Sequence, residues 1–159
     1  MKWFKVALTG MIGSLVMFLL MMFGIHGTGI APFNIPPSAA FLTKLGLAAG
    51  PLPLIVHFGY GAFWSILLIY LFKENTNIKK GLGLSLVAWL IMMLVYSPII
   101  GWGVFGFGDA HMMDPSNPLY LESGAKYLIA TFILHLIFGL IIGWINPEWI
   151  DLESIRENS

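Results

Sequence analysis

The sequence predicts an all-α integral membrane protein with four transmembrane helices. Of its 159 residues, 58% are hydrophobic and 10% are charged, whereas soluble domains average about 45 to 50% apolar and about 25% charged residues. Four stretches of 38, 28, 28 and 21 residues contain no Asp, Glu, Lys or Arg. About 20 apolar residues cross the hydrocarbon core as a helix, so each stretch holds one span. Continuous apolar runs favour helices over barrel strands, whose apolar and polar residues alternate.

The expected spans cover residues 4–25, 52–72, 81–100 and 127–145. The first span is too long for the apolar region of a signal peptide, so we expect it to stay uncleaved. Lys and Arg accumulate on the cytoplasmic side of a membrane. Six basic residues fall on one side and two, Lys44 and Lys126, on the other. The six are Lys2, Lys5, Lys73, Lys79, Lys80 and Arg156. This count predicts cytoplasmic termini, and we expect a prokaryotic inner membrane.

The two outward loops differ in composition. In the first, Ser38 is a plausible N-cap for a short helix over 39–49 that lies on the membrane surface. Its apolar face contains Phe41, Leu42 and Leu45. In the second loop, glycine and aromatic residues alternate over 101–108. This pattern predicts an irregular interfacial segment whose aromatic side chains lie at the level of the lipid headgroups.

The chain contains a candidate internal repeat, with halves at about 1–75 and 76–159. Residues 14–22 and 85–93 are identical at six of nine positions. The second and fourth spans share His-x-x-aromatic-Gly, which begins at His57 and at His135. Two helices per copy give both copies the same orientation. The pattern therefore predicts two tandem hairpins related by an axis along the membrane normal.

His57 and His135 are the strongest candidates for a functional site, because ionisable residues inside a span usually face the bundle interior and serve a function. Two histidines on facing helices could ligate the iron of haem b, with Gly61 and Gly139 leaving room for the macrocycle. Proton relay is an alternative, since histidine titrates near neutral pH. A third interpretation is structural: each histidine forms a hydrogen bond between helices.

A weaker candidate is a divalent-metal site in the second outward loop. Asp109, His111 and Asp114 form an Asp-x-His-x-x-Asp cluster, which His26 at the end of the first span could join. Oxygen and imidazole donors suit such ions. The alternative is a solvated acidic loop.

Several function classes are excluded by composition. The chain has no cysteine, and therefore no disulfide, thiolate metal site or thiol nucleophile. Its formal net charge is zero, which is unlike the basic surface of a nucleic-acid binder. No Gly-x-Ser-x-Gly, His-Glu-x-x-His or phosphate-loop motif occurs. We therefore expect no enzymatic activity, and at most an electron-transfer subunit.

The motifs at 56–61 (VHFGYG) and 134–143 (LHLIFGLIIG) resemble a broad group of small four-helix membrane proteins of bacteria and archaea. The later helices of that group read His-x-x-Tyr/Phe-Gly-x-x-x-Gly. The resemblance implies the four-helix architecture and carries no assigned biochemistry.

The chain has little mass outside its spans, which favours a non-catalytic subunit of a larger membrane complex. Such a subunit contacts lipid and packs against other membrane subunits or further copies of itself. The complex would be respiratory or redox in kind if His57 and His135 bind haem. The alternative is a pathway for a small solute or for protons.

Overall fold

The structure, a computed structural model, describes residues 2–157, with side chains described as far as residue 149. The described chain is helical and contains no strand. Four helices are long and apolar enough to cross a membrane: Lys2–Thr28, Leu52–Asn75, Ile78–Ile100 and Gly124–Trp149. The predicted four-helix fold is therefore confirmed. The side chain of Arg156 lies outside the described part, and the sidedness and kind of membrane stay predictions.

Six α-helices follow one another along residues 2–157. They are α1 Lys2–Met22, α2 Pro37–Lys44, α3 Leu52–Phe72, α4 Ile78–Ile91, α5 Ser97–Ile100 and α6 Gly124–Glu157. A π-helical turn, Phe23–Thr28, extends α1, and another, Met92–Tyr96, joins α4 to α5. The Asn77 side chain caps α4 by accepting a hydrogen bond from the backbone N–H of Lys80 at 3.2 Å. Gly101 follows α5 with a φ of 100°, a left-handed conformation that ends the helix.

The four spanning helices form a ring that is open on one side. Helix α1 packs along α3, α4 packs along α6, and α1 also packs along α6. Between α3 and α4, by contrast, there is little contact. The ring order is therefore α1, α3, α4, α6, and the gap lies between α3 and α4.

Glycine pairs bring the helices of each hairpin together. A Cβ atom on Gly10 would collide with the carbonyl oxygen of Gly61, and one on Gly81 would collide with that of Gly139. Small residues at such points allow close backbone packing between membrane helices. Gly81 lies 71 residues after Gly10, and Gly139 lies 78 residues after Gly61. These are the offsets between the two halves of the candidate repeat. The tandem repeat itself stays a prediction.

The two long loops form a compact cap, residues 29–36 and 101–123, at one end of the bundle. Trp102 lies fully buried in it, stacked on Phe33 with ring centroids 6.1 Å apart and edge-on to Tyr127 at 5.0 Å. Its indole N–H donates to the carbonyl oxygen of Leu119 at 2.8 Å. Trp102 therefore packs inside the cap, and the expectation that the aromatic residues of 101–108 lie at the level of the headgroups stays a prediction. Phe107, at 68% exposure, is on the surface.

Helix α2 lies between the cap and the gap in the ring. It begins at Pro37 and ends at Lys44, earlier than the predicted 39–49. Ser38 lies inside the helix rather than at its N-cap, because Pro37 occupies a favoured first-turn position. The predicted apolar face is correct for Leu42, which is buried, and wrong for Leu45, which is half exposed beyond the helix end. Phe41 packs against Tyr96, with ring centroids 4.9 Å apart.

Candidate functional site

The gap between α3 and α4 is a cleft of about 330 Å³, a volume within the usual range for small-molecule sites. Its floor consists of buried residues of α1, α4 and α6, among them Met17, Ala88, Thr131 and His135. The π-helical turn of α4 contributes Met92 to the wall. Such turns occur frequently at functional sites.

The mouth of the cleft lies on the exposed surface of two spanning helices. Val56 and Phe63 of α3 are 36% and 57% exposed, and Tyr96 beyond α4 is 38% exposed. Phe41 of α2 closes the end next to the cap. Val56, Phe63 and Tyr96 belong to helices long and apolar enough to cross a membrane, so the mouth opens on the side of the bundle, between two spanning helices.

His135 and Tyr60 form a hydrogen-bonded pair inside the cleft. The Nδ1 atom of His135 lies 2.8 Å from the carbonyl oxygen of Thr131. A carbonyl oxygen only accepts, so Nδ1 carries the proton, and the Nε2 atom of the neutral ring is an acceptor. The Tyr60 hydroxyl lies 3.3 Å from Nε2 and donates to it. This bond links α3 to α6 across the floor.

His57 is bonded differently, although the sequence pattern makes it equivalent to His135. Its Nε2–H donates to the carbonyl oxygen of Ser14 at 2.9 Å, and the Ser14 hydroxyl donates to the carbonyl oxygen of His57 at 3.3 Å. The ring is buried and tilted against Phe18, with centroids 5.8 Å apart. These bonds tie α1 to α3, which is what the structural interpretation of the histidines expects.

The residues do not fit a haem held between the two histidines. An axial histidine must direct an unprotonated nitrogen at the iron. His57 instead directs Nε2–H at the carbonyl oxygen of Ser14, and Nδ1 of His135 is bonded to the carbonyl oxygen of Thr131. Gly61 and Gly139, expected to leave room for the macrocycle, are instead covered by the backbones of Gly10 and Gly81. These glycines serve helix packing.

The predicted metal ligands are not assembled into a site. His26 lies in the π-helical turn after α1, while Asp109 and His111 belong to a 3₁₀ turn of the cap. The N–H and hydroxyl of Ser116 both donate to the Asp114 carboxylate, and these bonds hold its pKa below the usual value. Among the residues whose side chains are described, no three His, Asp or Glu are grouped to hold a metal ion.

Two residues of the cleft had no assigned role in the sequence. Tyr60 belongs to the repeated motif, and in the structure its hydroxyl is the donor to His135. Thr131 accepts from the indole N–H of Trp89 at 3.2 Å and holds His135 through its carbonyl oxygen. The signal in the sequence is a hydroxyl inside an otherwise apolar span, where an unpaired polar group is costly.

No protein-family model, curated protein or solved structure matches this chain. The resemblance of 56–61 and 134–143 to small four-helix membrane proteins stays a prediction.

Proposed function

We propose that this chain is a non-catalytic integral membrane protein that binds a neutral, lipid-soluble small molecule in the cleft between α3 and α4. The observation that carries the proposal is a cleft whose mouth opens between two membrane-spanning helices and whose lining contains hydrogen-bonding side chains. Ligand sites are typically apolar cavities in which a few polar groups fix the orientation of the ligand. The pair of Tyr60 and His135 supplies those groups here.

The burial pattern supports access from the lipid. Phe63 at the mouth is 57% exposed, whereas Met17 and Thr131 on the floor are 4% and 1% exposed. A molecule dissolved in the bilayer reaches the floor by passing between α3 and α4. It does not have to cross the cap, where Trp102 and Phe33 are packed closely.

The chemistry of the lining supports a neutral ligand. None of the residues that line the cleft is Asp, Glu, Lys or Arg. A charged ligand would lose its hydration without gaining an ionic partner, at a large cost in free energy. An apolar molecule with one or two hydrogen-bonding groups meets no such cost.

A pathway for protons or solutes receives less support from the packing. Toward the end of the bundle that holds the termini, the core is filled by Leu68, Phe138 and Ile142, all fully buried. Asn146 and Ser65, polar residues at this end, are fully buried, bonded to each other and outside the cleft, so they do not continue it toward the termini. The cleft is therefore better explained as a binding site that is closed toward the end of the bundle that holds the termini.

Photolabelling in lipid nanodiscs tests this proposal. Trifluoromethyl phenyl diazirine, a small apolar probe, enters the bilayer and labels the protein surface that it reaches when illuminated. We expect labels on Met17 and Leu134, buried residues of the cleft, as well as on lipid-facing side chains. Labels confined to the lipid-facing surface would overturn the proposal.

Two glycines offer a matched pair of variants for this experiment. Gly59 lies at the mouth and Gly83 lies on the exposed face of α4, and a Cβ atom added to either residue would have no neighbour within 4 Å. Gly59→Trp places a large side chain at the mouth and should abolish labelling of the floor. Gly83→Trp should leave that labelling unchanged.

The prediction that the chain is a subunit of a larger membrane complex is independent of this proposal. Its support is the small mass outside the spans, and its test is whether the protein migrates with fixed partners after extraction in mild detergent.

A further inference from the structure

We infer that the ligand presents a hydroxyl group on an aromatic ring, as phenols and quinols do, to Tyr60 and His135. The inference rests on the proposed function, because it assigns the chemical class of the molecule that the cleft binds. Its basis is a donor and an acceptor side by side on the floor of an otherwise apolar cleft.

The Tyr60–His135 pair is the part of the floor that can exchange its partners. Its 3.3 Å separation is long for an O–H···N hydrogen bond, so separating the two groups costs little. The Thr131 hydroxyl, by contrast, donates to the carbonyl oxygen of Tyr127 at 2.7 Å and accepts from Trp89. His57 is held by Ser14 at 2.9 Å.

A hydroxyl group satisfies both members of the pair when it lies between them. Its oxygen accepts from the Tyr60 hydroxyl, and its hydrogen is donated to Nε2 of His135. A ketone, quinone or ether oxygen accepts from Tyr60 but has no hydrogen for His135. Such a ligand leaves a buried acceptor unpaired, which carries a free-energy penalty. The pair therefore selects for a donor oxygen.

The walls of the cleft favour a ring as the carrier of that hydroxyl. Phe41, Phe63 and Tyr96 supply aromatic surfaces, which pack well against a planar ring. Met21 and Met92 add flexible thioether side chains, which adapt to the ring edge. An apolar tail on the ring extends through the mouth into lipid.

A pair of matched probes tests the inference on the unmodified protein. Pentylphenol and its methyl ether, pentylanisole, share one ring and one tail, and differ in the hydrogen of the ring oxygen. Each competes with the diazirine probe for the cleft floor in nanodiscs, at equal concentrations in the membrane phase. We expect pentylphenol to protect the floor at a concentration about tenfold lower than pentylanisole, because it gains one net hydrogen bond.

Substitution of the donor gives a second readout. Tyr60→Phe removes the hydroxyl that competes for Nε2 of His135, so pentylphenol still donates to that nitrogen and the preference should stay at about tenfold or increase. Loss of the preference in this variant would overturn the inference. Tyr70→Phe is the control, since Tyr70 lies on the same helix with 69% exposure and outside the cleft. If Tyr60→Phe does not fold, the comparison of the two probes on the unmodified chain decides.

Each outcome has a distinct meaning. Equal protection by both probes, or protection by neither while the floor is labelled, overturns the inference and leaves the proposed function standing. A floor that the diazirine never labels overturns both. If pentylphenol is preferred over pentylanisole, its protection of the floor is then compared with that of duroquinol, which is kept reduced. Stronger protection by duroquinol assigns the site to quinols, the reverse order assigns it to phenols, and both orders support the inference.

Discussion

Gly10 of α1 and Gly61 of α3 pack backbone to backbone, and a Cβ atom on either residue would collide with the carbonyl oxygen of the other. Gly81 of α4 and Gly139 of α6 form the same contact in the second hairpin. Serine completes each contact: Ser14 lies against Gly61, and Ser85 lies against Gly139. Each contact holds the two helices of one hairpin together, whereas the cleft opens between the two hairpins.

Gly61→Ala and Gly139→Ala should each destabilise the bundle. The added methyl group meets backbone and serine atoms that cannot move without separating the helices. We expect a loss of about 1 to 3 kcal/mol in the free energy of unfolding, in line with other overpacked sites. Unfolding in mixed micelles with increasing SDS, followed by circular dichroism, measures this loss.

Gly59→Ala is the control for this prediction. It lies on the same helix as Gly61, but its Cβ position has no neighbour within 4 Å. Helix propensity alone should make this variant as stable as the unmodified chain or slightly more stable. Equal stability of Gly59→Ala and Gly61→Ala would contradict the packing argument.

The sequence was sufficient to predict the four spans, because their physical cause is local. A charge-free run of about 20 residues has one low-energy state in a bilayer, a helix that satisfies its own backbone groups. The shared motif also led correctly to His57 and His135 as buried residues. Their hydrogen-bond partners could not be predicted, since Ser14 and Tyr60 approach them only through the packing of neighbouring helices.

Two features of the packing could not be predicted, and the reason is the same for both. Gly61 was expected to provide space for a macrocycle but is covered by α1, and no pattern in the sequence indicated that Trp102 is buried in the cap. The position of the cleft has a similar origin, because the ring of helices opens between α3 and α4 while α1 packs on α6. Such pairings depend on long-range contacts, which are not apparent in the composition or spacing of a single segment.

Trp102→Ala should unfold the cap. The side chain is fully buried against Phe33 and Tyr127, and its indole N–H bonds to Leu119. Truncation of a buried aromatic residue typically costs about 3 to 5 kcal/mol. Hydrogen exchange of the amides over 101–123 should rise strongly in this variant. It should stay unchanged in Trp144→Ala, whose side chain is 65% exposed, and similar exchange in both variants would show that the cap does not depend on Trp102.

Haem ligation by His57 and His135 should not be detectable in the folded protein. Nε2 of His57 and Nδ1 of His135 are bonded to backbone carbonyl oxygens, Tyr60 donates to Nε2 of His135, and the nearby glycines are covered. Purified protein incubated with haemin should therefore give the same oxidised and dithionite-reduced visible spectra as its His57→Ala and His135→Ala variants. A reducible Soret band that both substitutions remove would contradict the geometry of the site.

Asn146 and Ser65 should couple energetically at the end of the bundle away from the cap. The fully buried Asn146 donates through Nδ2 to the Ser65 hydroxyl at 2.9 Å, and that hydroxyl donates to the carbonyl oxygen of Val6 at 2.7 Å. These bonds connect α6, α3 and α1 in sequence. Interhelical hydrogen bonds in membrane proteins couple by about 0.6 kcal/mol on average and at most about 1.7 kcal/mol.

A double-mutant cycle of Asn146→Ala and Ser65→Ala, measured by SDS unfolding, gives this coupling directly. We expect the double variant to lose less stability than the sum of the two single variants, because either substitution alone already breaks the bond between Asn146 and Ser65. Labelling of the cleft floor should persist in all three variants, since neither residue lines the cleft. Strictly additive losses would mean that this bond contributes nothing to stability, and the apolar packing around Leu68 and Ile142 and the bond from Trp149 to Thr9 would then hold the helices at this end.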